Sequence, residues 1–87
     1  MAERRVTVAS PVGLHARPAA RFVAAAAAFD GEVRVARPGG AGVPATSMLA
    51  VLTLGVRSGE EIVVTAEGEG AEELLDRLAE IAAADED

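Results

Sequence analysis

The chain reads as an α+β fold, an antiparallel sheet with helices packed on one side. Three observations predict it. Four short segments carry strand signals, the clearest alternating apolar with polar residues as half-buried strands do. Three others carry apolar residues at helical spacing or end on helix-stop signals. Their order along the chain is strand, helix, strand, strand, helix, strand, helix. A strand with one apolar face buries only that face, which fits antiparallel pairing under a single covering layer.

Each element has its own justification. Arg5-Val6-Thr7-Val8-Ala9 alternates, with Val6 and Val8 directed inward. Ser10-Pro11-Val12-Gly13-Leu14 is a loop, marked by its proline and glycine. Ala16 to Ala28 is predicted as a helix. Pro18 is tolerated only in a first turn, so the helix starts at His15 or Ala16. Ala19, Phe22, Val23 and Ala26 form its apolar stripe. Asp30-Gly31 turns the chain into Glu32-Val33-Arg34-Val35-Ala36-Arg37, the clearest strand. Pro38-Gly39-Gly40 turns it again, into a short strand near Gly42-Val43. The 38–42 run lacks the lysine and the strand–loop–helix setting of a phosphate loop, so it reads as a turn. Ser47 to Leu54 is a short helix stopped at Gly55. After the Arg57-Ser58-Gly59 turn, residues 61–66 form a strand, and Gly68 and Gly70 bracket the next turn. Ala71, Leu74, Leu75, Leu78 and Ile81 line one face of a last helix, with Glu72 and Glu73 well placed in its first turn. Asp85-Glu86-Asp87 sits at the unfavourable end of that dipole and is expected to fray.

Composition narrows the function. A length of 87 residues fits one domain, 1–87. A domain this small buries roughly 60% of the surface its unfolded chain exposes. Cysteine is absent, which removes disulfides, thiolate metal sites and cysteine nucleophiles. One histidine without cysteine leaves too few ligands for a zinc site, so no metal is expected. The N-terminus leads straight toward a strand with no signal-peptide core. The longest apolar run, Phe22 to Phe29, is eight residues, far short of the ~20 that span a bilayer. A cytoplasmic protein without membrane insertion is expected. All eight basic residues are arginine. Residues 1–57 hold seven arginines against three acids, and residues 58–87 one arginine against eleven. The overall charge of −6 argues against nucleic acid, while the N-terminal two thirds can still show a cationic face to an acidic protein.

The chemistry points to His15. It is the only histidine, placed after a glycine-containing loop and at the start of the first helix. A helix start carries unpaired N–H groups and about half a positive charge, which suits an anion. Imidazole is also a nucleophile near neutral pH. A phosphoryl group on Nδ1, the ring nitrogen nearer the backbone, would lie closest to the N–H groups of Ala16 and Arg17. Arg17 adds a fixed charge and a fork of donors shaped for phosphate. Taken alone, a histidine here also fits a plain helix cap.

Gly13-Leu14-His15-Ala16-Arg17-Pro18-Ala19 resembles the active-site signature of the HPr family, the histidine phosphocarriers of the phosphoenolpyruvate-dependent sugar phosphotransferase system. Ser47-Met48-Leu49-Ala50-Val51-Leu52-Thr53-Leu54-Gly55-Val56 looks like the family's regulatory-serine helix, at the right distance. The likeness covers essentially the whole chain. It implies a two-layer open-faced sandwich, a four-stranded antiparallel sheet with three helices on one face. It implies that His15 accepts a phosphoryl group on Nδ1 from enzyme I and passes it to the IIA domain of a sugar permease, with Arg17 assisting. The carrier would be a monomer without metal or cofactor, and a stoichiometric intermediate rather than an enzyme. In part of the family the serine matching Ser47 is phosphorylated by a kinase, so HPr kinase/phosphorylase is a further expected partner. Met48, Leu49 and Leu52, with Ala20 and Arg21 on the other side, would form the patch both transfer partners share; as bare residues the three apolar ones also fit the core. The family's basic residue before the serine is Thr46 here, and helix lysines are replaced by Ala24, Ala25 and Ala27.

Three alternatives stand beside this. A nitrogen-linked regulatory phosphocarrier has the same chemistry with other partners. A small hydrolase such as an acylphosphatase needs an asparagine, and the chain has none. A regulator without phosphoryl chemistry would lack the histidine.

Overall fold

The structure, a computed structural model, describes residues 1–84. The expected fraying of Asp85-Glu86-Asp87 lies outside the described residues. The elements are β1 (Ala2–Thr7), α1 (Ala16–Ala27), β2 (Glu32–Ala36), β3 (Val43–Pro44), α2 (Met48–Thr53), β4 (Glu61–Glu67) and α3 (Ala71–Ala83). The four strands form one sheet in the order β1-β4-β2-β3, every neighbour antiparallel. The three helices cover one face, making the open-faced sandwich that the element order predicts.

Register places the apolar residues. Val6 stands opposite Ile62, Val35 opposite Val64, and Val33 opposite Ala66. Directly opposed residues share a face, so these six side chains all point at the helices and are buried. Phe22 of α1 and Leu75 and Leu78 of α3 complete the core. Each valine, isoleucine, leucine or phenylalanine among them contributes about 1.5–3 kcal/mol by leaving water.

The boundaries differ from expectation most at β1. Alternation suggests residues 5–9, yet the strand runs from Ala2 to Thr7. Local pattern misses the start because Glu3 and Arg4, which precede the alternating run, are both charged. Seven-residue β4 offers a ladder back to Ala66, and an edge strand tolerates charge at its rim. Arg4 bonds Asp76 at 2.8 Å and Glu72 at 3.4 Å on α3, and Arg5 bonds Glu61 at 3.1 Å. Val8 lies beyond the strand but is fully buried, its N–H on Glu60 O at 2.8 Å.

Six-residue α2 is too short to be stable alone. It forms because Val51 is buried, Ser47 caps its start, and it lies against α1 and β3.

Candidate functional site

The segment before α1 is tied at both ends. Ser10 is fully buried; its carbonyl accepts the Gly13 N–H at 2.9 Å and its hydroxyl the Val12 N–H at 3.4 Å. Gly13 has φ +71, and the next residue, Leu14, donates its N–H to Val56 O at 3.0 Å. Leu14 is buried and acts as the loop's apolar anchor. His15 follows as the N-cap residue of α1, extended at φ −148 and ψ 169, and exposed. Its side chain makes no cap hydrogen bond. The ring is therefore not used as the helix's own cap, and the residue is open to solvent.

Ala16 has φ +52, the left-handed region, which costs an L-residue about 1–2 kcal/mol. Such strain persists only where the surroundings impose it, and here it lies next to the candidate nucleophile. Nothing in the sequence signals it, because alanine is not a residue that favours this region. Ala16 and Arg17 are both exposed, and their N–H groups belong to the first turn, which has no intrahelical acceptors. Pro18 offers no N–H and is buried. Arg17 has no ion pair among the described residues. One exposed ring, one free guanidinium and the positive end of a helix thus share a single turn.

The second predicted block divides by burial. Leu49 is 73% exposed, whereas Met48 and Leu52 are half-buried and lean on the core. Ala20 and Arg21 are exposed on α1, which touches α2. Val12, in the His15 loop, is a further large exposed apolar side chain that pattern reading passed over as loop. Ser47 is half-buried, and its Oγ accepts the Ala50 N–H at 3.2 Å.

Sequence reasoning also missed Arg37. Read as the last residue of a strand, it reaches across to the far end of α2. Its Nε donates to Leu54 O at 2.7 Å, and Nη2 to Gly55 O at 2.7 Å and Glu60 Oε1 at 3.2 Å. The hydrogen bond from the Arg57 N–H, and then that from Arg37, hold the Glu60 carboxyl below its ordinary pKa. A cleft of about 400 Å³ on the open sheet face includes Arg5, Arg34 and Arg37 but not His15. Its three arginines are already paired with Glu61, Glu32 and Glu60. Among the described residues no cluster of His, Cys, Asp and Glu is placed to hold a metal ion, and no helix is long and apolar enough to cross a membrane.

The chain is similar along almost its whole length to known proteins. The family profile described as the PTS HPr component phosphorylation site matches residues 2–84. A phosphocarrier protein HPr from Streptomyces coelicolor is 55% identical over 83 residues, covering 95% of this chain and 89% of that protein. One from Haloferax volcanii is 50% identical over 80 residues, 91% of this chain and 90% of its own. The crystal structure of a phosphocarrier protein HPr from Bacillus anthracis superposes with a TM-score of 0.87 at 37% identity, covering 93% of this chain and 95% of that one. With its sheet order, its exposed helix-start histidine and these relatives, the chain belongs to the HPr family of phosphocarriers of the phosphotransferase system.

Proposed function

We propose that residues 1–87 act as one phosphocarrier domain in the cytoplasm, with His15 as the residue that carries the group. The Nδ1 lone pair attacks the phosphorus of phospho-enzyme I. The new N–P bond forms as the bond to enzyme I breaks, and the reverse exchange delivers the group to a IIA domain. The N–H groups of Ala16 and Arg17 and the Arg17 guanidinium receive the phosphoryl oxygens. Each exposed contact of this kind contributes about 0.3–1 kcal/mol, enough to orient the group without trapping it. The observation that carries this reading is the exposed His15 ring at the start of α1, without a cap bond.

Leu49, with Met48, Leu52, Ala20 and Arg21 around it, forms the surface that enzyme I and IIA use in turn. Ser47 is the site for HPr kinase/phosphorylase. A phosphate there adds about −1.5 to −2 charge beside an apolar surface and repels acidic partners. The carrier works as a monomer and takes no cofactor.

The test is incubation with enzyme I and labelled phosphoenolpyruvate. The label should be acid-labile and alkali-stable, be absent from His15→Ala, and chase onto a IIA domain. Equal labelling of His15→Ala would reject the assignment. A panel of sugar-type and nitrogen-type IIA domains then decides the branch. Incubation with ATP and the kinase should place acid-stable label on Ser47; a Ser47→Ala variant labelled as well as wild type leaves Ser47 a cap alone.

A further inference from the structure

We propose that Arg37 is a positioning residue for phosphoryl transfer: from the end of β2 it fixes the 54–57 turn, which both ends α2 and anchors the His15 loop. The proposal rests on the phosphocarrier reading above.

The grip is built from four donated bonds. Arg37 holds the Leu54 and Gly55 carbonyls, both at 2.7 Å. These lie at the C-terminal end of α2, where carbonyls lack intrahelical donors. The last turn of α2 contains no basic residue of its own. Arg37 supplies the missing cation from another element, at the end where a cation is favourable. Glu60 Oε1 then accepts the Arg37 Nη2 at 3.2 Å and the Arg57 N–H at 2.8 Å. The turn is thus held at Leu54, Gly55 and Arg57.

Between those points sits Val56, buried, whose carbonyl accepts the Leu14 N–H at 3.0 Å. Leu14 immediately precedes His15. The turn that sets the end of the docking helix therefore also sets the approach to the carrier histidine. Arg37 itself is well founded. Ala36 is registered against Val63 in the sheet, and the Arg37 carbonyl takes the Gly40 N–H at 2.8 Å. The planar fork matters, because one guanidinium serves two carbonyls and a carboxylate at once. Arg37 touches no reacting atom, so its loss changes how partners meet the surface more than it changes the chemical step.

The experiment measures steady-state phosphorylation by phospho-enzyme I for wild type, Arg37→Ala, Arg37→Lys and Arg34→Ala. Arg34 is the control: it gives a 2.7 Å bond to Gly42 O and pairs with Glu32, away from the turn. Arg37→Ala should raise KM about tenfold with kcat held within about twofold, the signature of lost docking rather than lost chemistry. Arg37→Lys, with charge but no fork, should recover part of that loss. Arg34→Ala should stay within about twofold of wild type in KM. Amide exchange at Leu14 should speed up in Arg37→Ala and not in Arg34→Ala. If Arg37→Ala does not fold, Arg37→Gln carries the same comparison. A KM for the Arg37 variants within about twofold of wild type, or unchanged Leu14 exchange, overturns the proposal. Failure of wild type to take label at all overturns the phosphocarrier reading instead, and the positioning role falls with it.

Discussion

Gly13→Ala tests how the His15 loop is held. A Cβ at position 13 would stand 2.4 Å from Val56 O and 2.9 Å from the Arg57 Cα, both backbone atoms. Backbone cannot swing aside as a flexible side chain does. The φ of +71 adds the left-handed cost, about 1–2 kcal/mol, which the stiffer unfolded chain offsets by about 0.4–1. Forcing the loop and the 55–57 turn apart adds about 1–3 kcal/mol of overpacking. The Leu14 N–H to Val56 O bond lies on the same line of separation and weakens with it. The net expectation is a loss of about 2–4 kcal/mol, a large part of what a domain of this size possesses. At about 4–8 °C per kcal/mol, the melting midpoint should fall by roughly 8–32 °C. Gly59→Ala is the control, since φ there is +89 but nothing lies within 4 Å of the added Cβ. It carries only the conformational cost, about 1 kcal/mol. Thermal and urea melts of both variants, followed by circular dichroism, measure the difference. Equal losses for the two would refute the close-approach argument.

Three further outcomes are expected. Leu49→Glu should leave stability within about 0.5 kcal/mol of wild type, because the side chain is 73% exposed, yet slow transfer with both partners; unchanged rates would remove Leu49 from the docking surface. Ser47→Ala should cost about 1 kcal/mol in a urea melt through loss of the α2 cap, and a negligible loss would mean that α2 does not depend on it. Glu60 gives a pH signature. Its carboxyl is depressed by the Arg57 N–H and then by Arg37, so its contribution is complete above the ordinary carboxyl value of 4.5 and disappears as pH falls through the lowered one. The stability gap between wild type and Glu60→Gln should be constant from pH 7 to about 5 and close in more acid solution; a gap independent of pH would contradict this.

Much of this molecule was legible before any coordinates. Alternation in residues 32–36 and 61–66, the apolar face of 71–83 and the proline at position 18 each act over a few residues, so local pattern finds them. His15 and Arg17 stand out locally as an imidazole and an arginine at a helix start, whereas the regulatory role of Ser47 is what the family resemblance implies. What local pattern misses depends on partners far along the chain. The start of β1 at Ala2 exists because β4 continues to Ala66 opposite it. Arg37 reads as a strand end, but its bonds lie seventeen to twenty-three residues away.

The sequence by itself determined the element order and the sheet's buried face, because hydrophobic period and turn chemistry are written within one or two turns of chain, and it offers His15 as the one candidate imidazole. Only the tertiary structure decided that Leu49 stands in solvent while Val51 is buried, that Ala16 adopts a left-handed angle, and that Val56 holds Leu14. Those outcomes are set by which backbone groups meet across the fold, and hydrogen bonds and close contacts between distant segments leave no periodic trace in the chain that makes them.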